Sequence, residues 1–180
     1  MDDVKKLRVI RHARQERFGE DSKIRIRSGA SLEQIEFTPD LIVSSPYLRC
    51  METATLYARK FGLLVYDIVV DPRWSEYCQG ASELRSDAED FRGNVIEAPH
   101  HESWDAFCAR VDDALSEATY NGRNILIVAH GIVVKHLHEK LTGTSPYMRA
   151  REVPFLRGIT CEIRQTEARP EGMKSLHVVE

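Results

Sequence analysis

The apolar positions of the chain follow two periods that alternate along its length. Continuous apolar runs, typical of buried strands, lie at 7–11, 41–44, 64–70, 125–129 and 159–164. Apolar residues at helical spacing occupy 48–61, 104–118 and 132–141, and glycine follows the first two at positions 62 and 122. Strands that alternate with helices predict an α/β fold, here a three-layer α/β/α sandwich with a mainly parallel central sheet.

The segments between these elements are polar and less regular. Within 13–39 the one apolar pattern, 32–37, predicts one or two helical turns, and 75–101 predicts a loop over the sheet. Ser103 is placed to cap the helix that follows this loop. A last short strand is predicted at 176–179. No repeat or linker divides the sequence, so residues 1–180 are expected to form one domain.

The composition is that of a globular protein and gives no sign of a nucleic acid or membrane partner. The chain has 180 residues, 42% hydrophobic and 29% charged, which is typical of a globular domain with a proper core. Its net charge of -3 gives no general attraction to nucleic acid or to an anionic membrane, and no apolar run is long enough to cross a bilayer. The four cysteines form no CxxC pair, which predicts reduced thiols and a cytoplasmic location.

Chemistry-bearing residues stand at the ends of three predicted strands. Arg11 and His12 end the first, His130 ends a later one, and Arg49 follows the strand at 41–44 through a short turn. The carboxyl ends of strands form the functional crevice of an open α/β sheet. Arginine matches phosphate oxygens bidentately, and neutral imidazole is a nucleophile toward phosphorus. Taken alone, Arg11 and His12 are better explained as a surface charge at a strand end and a core histidine.

The three runs together resemble a known family. An Arg-His after a strand, Ser-Ser-Pro-x-x-Arg-x-x-x-Thr-Ala at 44–54 and Ala-His-Gly after a late strand resemble the histidine phosphatase, or phosphoglycerate mutase-like, superfamily over about 7–163. The resemblance implies a phosphoglycerate mutase-like fold with His12 as the phosphorylated nucleophile. It also implies that Arg11, Arg49 and His130 bind the phosphoryl group, and that no metal or organic cofactor is needed.

The family also uses an acidic residue as proton donor, in a Leu-x-Glu-x-x-x-Gly pattern. Here Trp74-Ser75-Glu76 begins the matching run, so the resemblance implies that Glu76 is the general acid, with tryptophan in place of leucine. Charge repulsion from a bound phosphate dianion favours the protonated carboxyl group that such a donor needs. Glu83 is the second candidate, and a solvated loop carboxylate is the plain alternative for either.

The chain departs from the family pattern in two places. Ala13 stands where a glycine usually follows the first histidine, and its Cβ is expected to cost about 1 kcal/mol or to shift His12. The usual helix between the first two motifs is largely missing from 12–44. Arg14 and Arg17 lie in this shortened segment, where they either contact substrate or are ordinary solvated charges.

Metal binding is not predicted. The His100-His101 pair lies in a predicted loop. His136 and His138 lack the i, i+4 spacing that places two ligands on one helix face. The site residues are therefore expected to work without a metal ion.

The resulting prediction is hydrolysis of phosphomonoesters through a covalent phosphohistidine. Hydrolysis is favoured over mutase action because the chain lacks room for the long insertions of the family's mutases. The substrate is a phosphorylated small molecule or a phosphoprotein, and 44–50 with 71–76 looks like the branch that acts on protein phosphotyrosine. Two alternatives stay open, a catalytically silent module that binds a phosphorylated partner and a metal-dependent hydrolase. The pattern leaves the oligomeric state undecided.

Overall fold

The computed structural model describes residues 4–16, 24, 32–78, 89–97 and 101–164. Its strands and helices follow in the order β1 (Val4–Arg11), β2 (Leu41–Ser44), α1 (Leu48–Lys60), β3 (Val69–Val70), α2 (Trp104–Asn121), β4 (Asn124–Ala129), α3 (Gly131–Thr142) and β5 (Gly158–Arg164). The strand predicted at 176–179, and the candidate residues Arg17 and Glu83, lie outside the described residues.

The five strands form one sheet in the order β3-β2-β4-β1-β5. β1 and β2 both pair in parallel with β4, and β3 pairs in parallel with β2, whereas β5 runs antiparallel to β1 at the edge. Apolar side chains of the central strands alternate between two clusters. One faces α1 and the other faces α2 and α3. The predicted three-layer α/β/α sandwich with a mainly parallel sheet is therefore confirmed.

The helices form where the apolar spacing predicts them. α1 buries Cys50, Ala54, Tyr57 and Ala58, one face of the helix, against the sheet. α2 begins after Ser103, whose Oγ accepts a hydrogen bond from the backbone N–H of Ala106 at 3.1 Å, as the sequence predicts. These caps and faces fix the ends of the helices near the sheet edge that carries the candidate site.

Two predicted elements are wrong. The run 64–70 is not one strand but a 3-10 turn, Val65–Asp67, followed by the two-residue β3. Leu64 and Tyr66 are 67% and 65% exposed, so the run has no buried face for a long strand to cover. Residues 32–37 form no helix and pass as irregular chain along the α1 side of the sheet. β-rich composition alone does not supply the partner that a strand needs.

No helix among the described residues is long and apolar enough to span a membrane.

Candidate active site

Four parallel strands deliver their carboxyl ends to the same edge of the sheet. The ladder between β1 and β4 runs up to Arg11 opposite Ala129, and β2 pairs with β4 up to Ser44 opposite Val128. The backbone N–H of His12 still donates to Ala129 O, at 2.9 Å, after β1 ends. His12, Ser45 and His130 are therefore held by the sheet at the position where an α/β fold binds its ligands.

His12 has one tautomer that satisfies both of its hydrogen bonds. Its Nδ1 lies 2.7 Å from the carbonyl oxygen of Ala13, an acceptor, so Nδ1 carries the proton. Nε2 is left with a lone pair, which accepts a hydrogen bond from Arg49 Nε at 3.3 Å. Burial, and then the charge of Arg49, lowers the pKa of His12 to about 3. The ring is thus a neutral imidazole whose unprotonated Nε2 can act as a nucleophile.

Arg49 lies at the centre of the candidate site. Its side chain is 3% exposed and lies in the first turn of α1, with its guanidinium 4.5 Å from the Tyr47 ring. Besides His12 Nε2 it contacts Glu76 Oε2 at 3.0 Å and His130 Nδ1 at 3.4 Å, both through Nη2. One buried guanidinium thus contacts the other predicted members of the site, except Arg11.

His130 is fully buried beside His12, with ring centroids 5.4 Å apart. Its Nε2 lies 2.9 Å from Ser45 Oγ, and its Nδ1 edge faces Arg49 and Glu76. Burial, and then the charge of Arg49, lowers the pKa of His130 well below its ordinary value. Like His12, His130 is a neutral imidazole at the floor of a cationic pocket.

Glu76 closes the site from the side of solvent. It follows the 3-10 turn Pro72–Trp74 that comes after β3, and its side chain is 42% exposed. Its Oε2 lies 3.0 Å from Arg49 Nη2 and 3.5 Å from His130 Nδ1. Trp74, in the family's leucine position, is fully buried in the core and anchors this turn. The carboxylate of Glu76 therefore pairs with the buried guanidinium of Arg49 at the solvent side of the candidate site.

The side chain of Arg11 is not oriented as expected for an arginine that binds the phosphoryl group. Its Nη1 donates to Val153 O at 2.6 Å and Arg151 O at 3.3 Å, and its guanidinium lies 4.1 Å from the centre of the Phe155 ring. Among the described residues, its buried Nε has no hydrogen-bond partner. Its charge still contributes to the low pKa of both histidines. Arg11 therefore borders the pocket with one donor unused.

Two helices begin at this edge and add positive potential. α1 starts after Tyr47 and α3 starts after His130, and neither has an acidic residue in its first turn. The N-terminal ends of helices carry partial positive charge and favour anions. Gly131 opens α3 because a Cβ there would lie 2.3 Å from the carbonyl oxygen of Ala150. The local field at the histidines is therefore suited to a phosphate.

The structure corrects the expected cost of Ala13. Only His101 and Leu156 among the described non-glycine residues have positive φ, so Ala13 has an ordinary backbone conformation. Its N–H donates to Thr53 Oγ1 at 3.0 Å, and its carbonyl accepts from His12. Alanine therefore needs no positive φ here, and its carbonyl oxygen holds His12 in the tautomer with the proton on Nδ1.

Several residues that contact the site were not singled out in the sequence. They are Ser45 and Tyr47 against His130, Thr53 behind Ala13, and Phe155 against His12 and Arg11. The first three stand in or beside the 44–54 motif, whose spacing is the available signal. Phe155 lies in an irregular segment with no periodic pattern, so the sequence contains no signal that would place it at the site.

Other candidate residues lie elsewhere. His136 pairs with Asp112 at 3.0 Å between α2 and α3, and His138 contacts Thr142 and Thr144. The Arg14 side chain is exposed. In the described part of the chain, no three His, Cys, Asp or Glu side chains form a group that could hold a metal ion.

The buried neutral His12 predicts acid sensitivity of the fold. The unfolded chain binds a proton near pH 6.5, and the folded chain does not until about pH 3, so lowering pH favours unfolding between these values. From about pH 7 to about pH 5 the free energy of unfolding should fall by about 2 kcal/mol on account of His12. His130 acts in the same direction.

Urea unfolding across this pH range measures the effect. His12→Gln should give a shallower dependence than the wild type. Parallel slopes for the two proteins would contradict the buried, neutral state of His12.

Comparison with known proteins finds a matching family model and solved structures of similar fold. The model of the histidine phosphatase superfamily (branch 1) matches residues 26–175. A comparison with curated proteins gave no match. Among solved structures, a mycobacterial glucosyl-3-phosphoglycerate phosphatase is 19% identical, with 90% of this chain and 91% of that chain covered and a TM-score of 0.53.

Two further solved structures are similar to this chain to about the same degree. A phosphoglycerate mutase from Bacillus anthracis is 18% identical over 99% of this chain and 93% of that one, with a TM-score of 0.56. An ecdysone phosphate phosphatase from Bombix mori, in complex with tungstate, is 15% identical over 95% of each chain, with a TM-score of 0.52. At these identities the likeness shows a shared phosphoglycerate mutase-like fold.

Proposed function

Since the chain belongs to the histidine phosphatase superfamily, we propose that it hydrolyses phosphomonoesters through a covalent phosphohistidine on His12. The observation that carries the proposal is the state of His12. A neutral imidazole, with Nδ1–H held by Ala13 O, presents its Nε2 lone pair beside the buried guanidinium of Arg49. A nucleophile of this kind, next to a fixed cation, is suited to attack on a phosphoryl group.

The first half of the proposed reaction transfers the phosphoryl group to the enzyme. His12 Nε2 forms a bond to phosphorus while the bond from phosphorus to the ester oxygen breaks. Glu76 gives its proton to that oxygen, and the alcohol leaves. The positive charge that develops on the imidazole is stabilised through Nδ1–H by the carbonyl of Ala13, 2.7 Å away. Arg49, Arg11 and His130 bind the phosphoryl oxygens.

The second half returns the enzyme to its starting state. Glu76, now a carboxylate, takes a proton from water, whose oxygen forms a bond to phosphorus as the bond to His12 Nε2 breaks. Inorganic phosphate leaves, and the ring is again neutral with its proton on Nδ1. The exposure of Glu76, 42% of its side chain, admits the water that hydrolysis requires and that a mutase must exclude.

The substrate class follows from the same opening. We propose a phosphorylated small molecule or a phosphoprotein, with the phosphate bound at Arg49 and the leaving group held toward solvent past Glu76. The half-exposed ring of Phe155, 5.7 Å from the His12 ring, provides an apolar surface beside the nucleophile. The low net charge of the chain gives no support for a nucleic acid substrate.

Hydrolysis of an aryl phosphate in the presence of EDTA tests the proposal. The wild-type protein should release phosphate between mildly acidic and neutral pH with no loss on chelation, because none of the proposed steps uses a metal ion. Loss of activity with EDTA that returns with a divalent cation would instead support the metal-dependent alternative.

Trapping of the phosphoenzyme by an alkaline, denaturing quench is the second measurement. A phosphohistidine should accumulate that is stable in alkali and labile in acid. Binding of inorganic phosphate without turnover or phosphoenzyme, for every aryl phosphate tried, would instead support the silent binding module. Ala13, one of the two departures of the chain from the family pattern, does not adopt a positive φ, so this departure gives the silent module no support.

A further inference from the structure

One arginine outside the pocket holds the loop that carries Glu76. Arg110 lies on α2, and its Nη1 donates to Arg73 O at 2.6 Å and to Ser75 O at 3.0 Å, while its Nη2 donates to Glu76 O at 3.2 Å. Three carbonyls within four consecutive residues thus converge on one guanidinium. The chain after Trp74 has no regular secondary structure, so these carbonyls depend on side-chain donors.

The guanidinium is itself held in place. Glu102 accepts from Arg110 Nε at 2.7 Å and from Nη2 at 2.5 Å, and the two side chains are 13% and 7% exposed. The ring of Phe107 lies 4.8 Å from the guanidinium carbon. Glu102 also binds the far end of the loop, because its N–H donates to Cys78 O at 3.2 Å and its Oε1 accepts from the N–H of Cys78 at 3.4 Å. The pair therefore brackets 73–78.

We propose that Arg110, fixed by Glu102, is a positioning residue that holds the Glu76 carboxyl group over the bound phosphate for proton transfer to the leaving oxygen. The inference rests on the proposed function. Arg110 donates to the backbone carbonyl oxygen of Glu76. The carboxylate of Glu76, at the other end of the residue, contacts Arg49 and His130. Arg110 thus sets the backbone from which the side chain extends.

The alternative is that Arg110 and Glu102 only stabilise the loop. The dependence of the rate on the leaving group distinguishes this role from positioning of Glu76. Phenyl phosphate and p-nitrophenyl phosphate have similar shapes, but phenolate is the poorer leaving group and needs the proton from Glu76 more. A misplaced general acid therefore slows phenyl phosphate selectively, whereas a general loss of folded protein slows both equally. kcat/KM isolates the first half of the reaction, in which the proton is given.

Arg110→Lys is the variant to compare with the wild type, because it keeps the charge but a single ammonium group cannot bridge the same carbonyls. We expect kcat/KM for phenyl phosphate to fall about 10- to 100-fold and that for p-nitrophenyl phosphate to change by no more than about threefold. Lys140→Gln, which removes a cation paired with Asp112 between α2 and α3, should leave both values unchanged.

Two further variants make the result independent of folding. Glu102→Gln weakens the pair without changing its shape and should show the same selective loss, at a smaller size. Adding Arg110→Lys to Glu76→Gln should cost nothing more on phenyl phosphate than Glu76→Gln alone, since the group being positioned is already absent.

Each outcome bears on one of the two proposals. An equal loss on both substrates, or additive losses in the double variant, overturns the positioning role of Arg110 while the phosphatase proposal stands. If Arg110→Lys does not fold, the result for Glu102→Gln decides in the same way. If the wild type hydrolyses neither substrate and forms no phosphoenzyme, the proposed function itself is overturned.

Discussion

His12→Ala should lower kcat/KM for an aryl phosphate by at least about 10⁴-fold and abolish the phosphoenzyme. In the proposed mechanism His12 Nε2, which is buried, unprotonated and beside Arg49, is the atom that bonds to phosphorus, whereas the equally buried and neutral His130 binds phosphoryl oxygens. Without that atom the reaction loses its covalent route, and the other residues can only bind the phosphate.

Folding and binding controls make this result specific. Because Arg49 and His130 are intact, His12→Ala should still bind inorganic phosphate, measured by calorimetry, while turnover is lost. His138→Ala removes a histidine of α3 outside the site and should keep wild-type activity. Substantial turnover by His12→Ala would show that another residue is the nucleophile. So would a phosphoryl group found on another residue of the wild-type protein.

The convergence of the candidate residues could be predicted because parallel strands share an edge. His12, His130 and Arg49 each follow a short apolar run, and any fold that makes those runs parallel neighbours brings the three together. Glu76 follows the same rule through β3, although the predicted seven-residue strand there shrinks to two residues. The rule depends on where strands end and tolerates errors in their length.

Side-chain orientation could not be predicted in the same way. Arg11 has the right place in the sequence, yet its Nη1 is bound by the carbonyls of 151 and 153, which belong to an irregular segment far along the chain. The conformation of Ala13 is a backbone dihedral that residue identity does not determine. Both depend on tertiary contacts with no local period, so the structure was needed to find them.

The role of Arg110 could be predicted only in part. It falls three residues after Phe107 and one before Val111, on the buried face of α2, where a charged side chain is costly unless it is paired. An arginine on an apolar helix face therefore indicates a specific partner. The sequence could not show that the partners are the carbonyls of the Glu76 loop, because those carbonyls are presented by a segment without regular structure.

Arg49→Lys has the second largest expected effect, a loss of about 10³-fold in kcat/KM for an aryl phosphate. Arg49 contacts His12 at 3.3 Å, His130 at 3.4 Å and Glu76 at 3.0 Å, so in the proposed reaction it binds the phosphoryl group between the nucleophile and the acid. A lysine keeps the charge but cannot present donors in these directions at once. Arg59→Lys, an exposed position in the last turn of the same helix, is the matched control and should have wild-type activity.

The same guanidinium also controls the protonation of the histidines, which gives an independent measurement. After burial, the charge of Arg49 is the largest cause of the low pKa of both His12 and His130. Arg49→Met should therefore raise both pKa values, observed as a shift of the ring resonances in an NMR titration, while Arg49→Lys should raise them less. A loss of less than about tenfold in Arg49→Lys, with histidine pKa values unchanged in Arg49→Met, would place the phosphate away from this guanidinium. Arg11, whose Nε is buried beside the pocket, would then be the remaining candidate for the clamp.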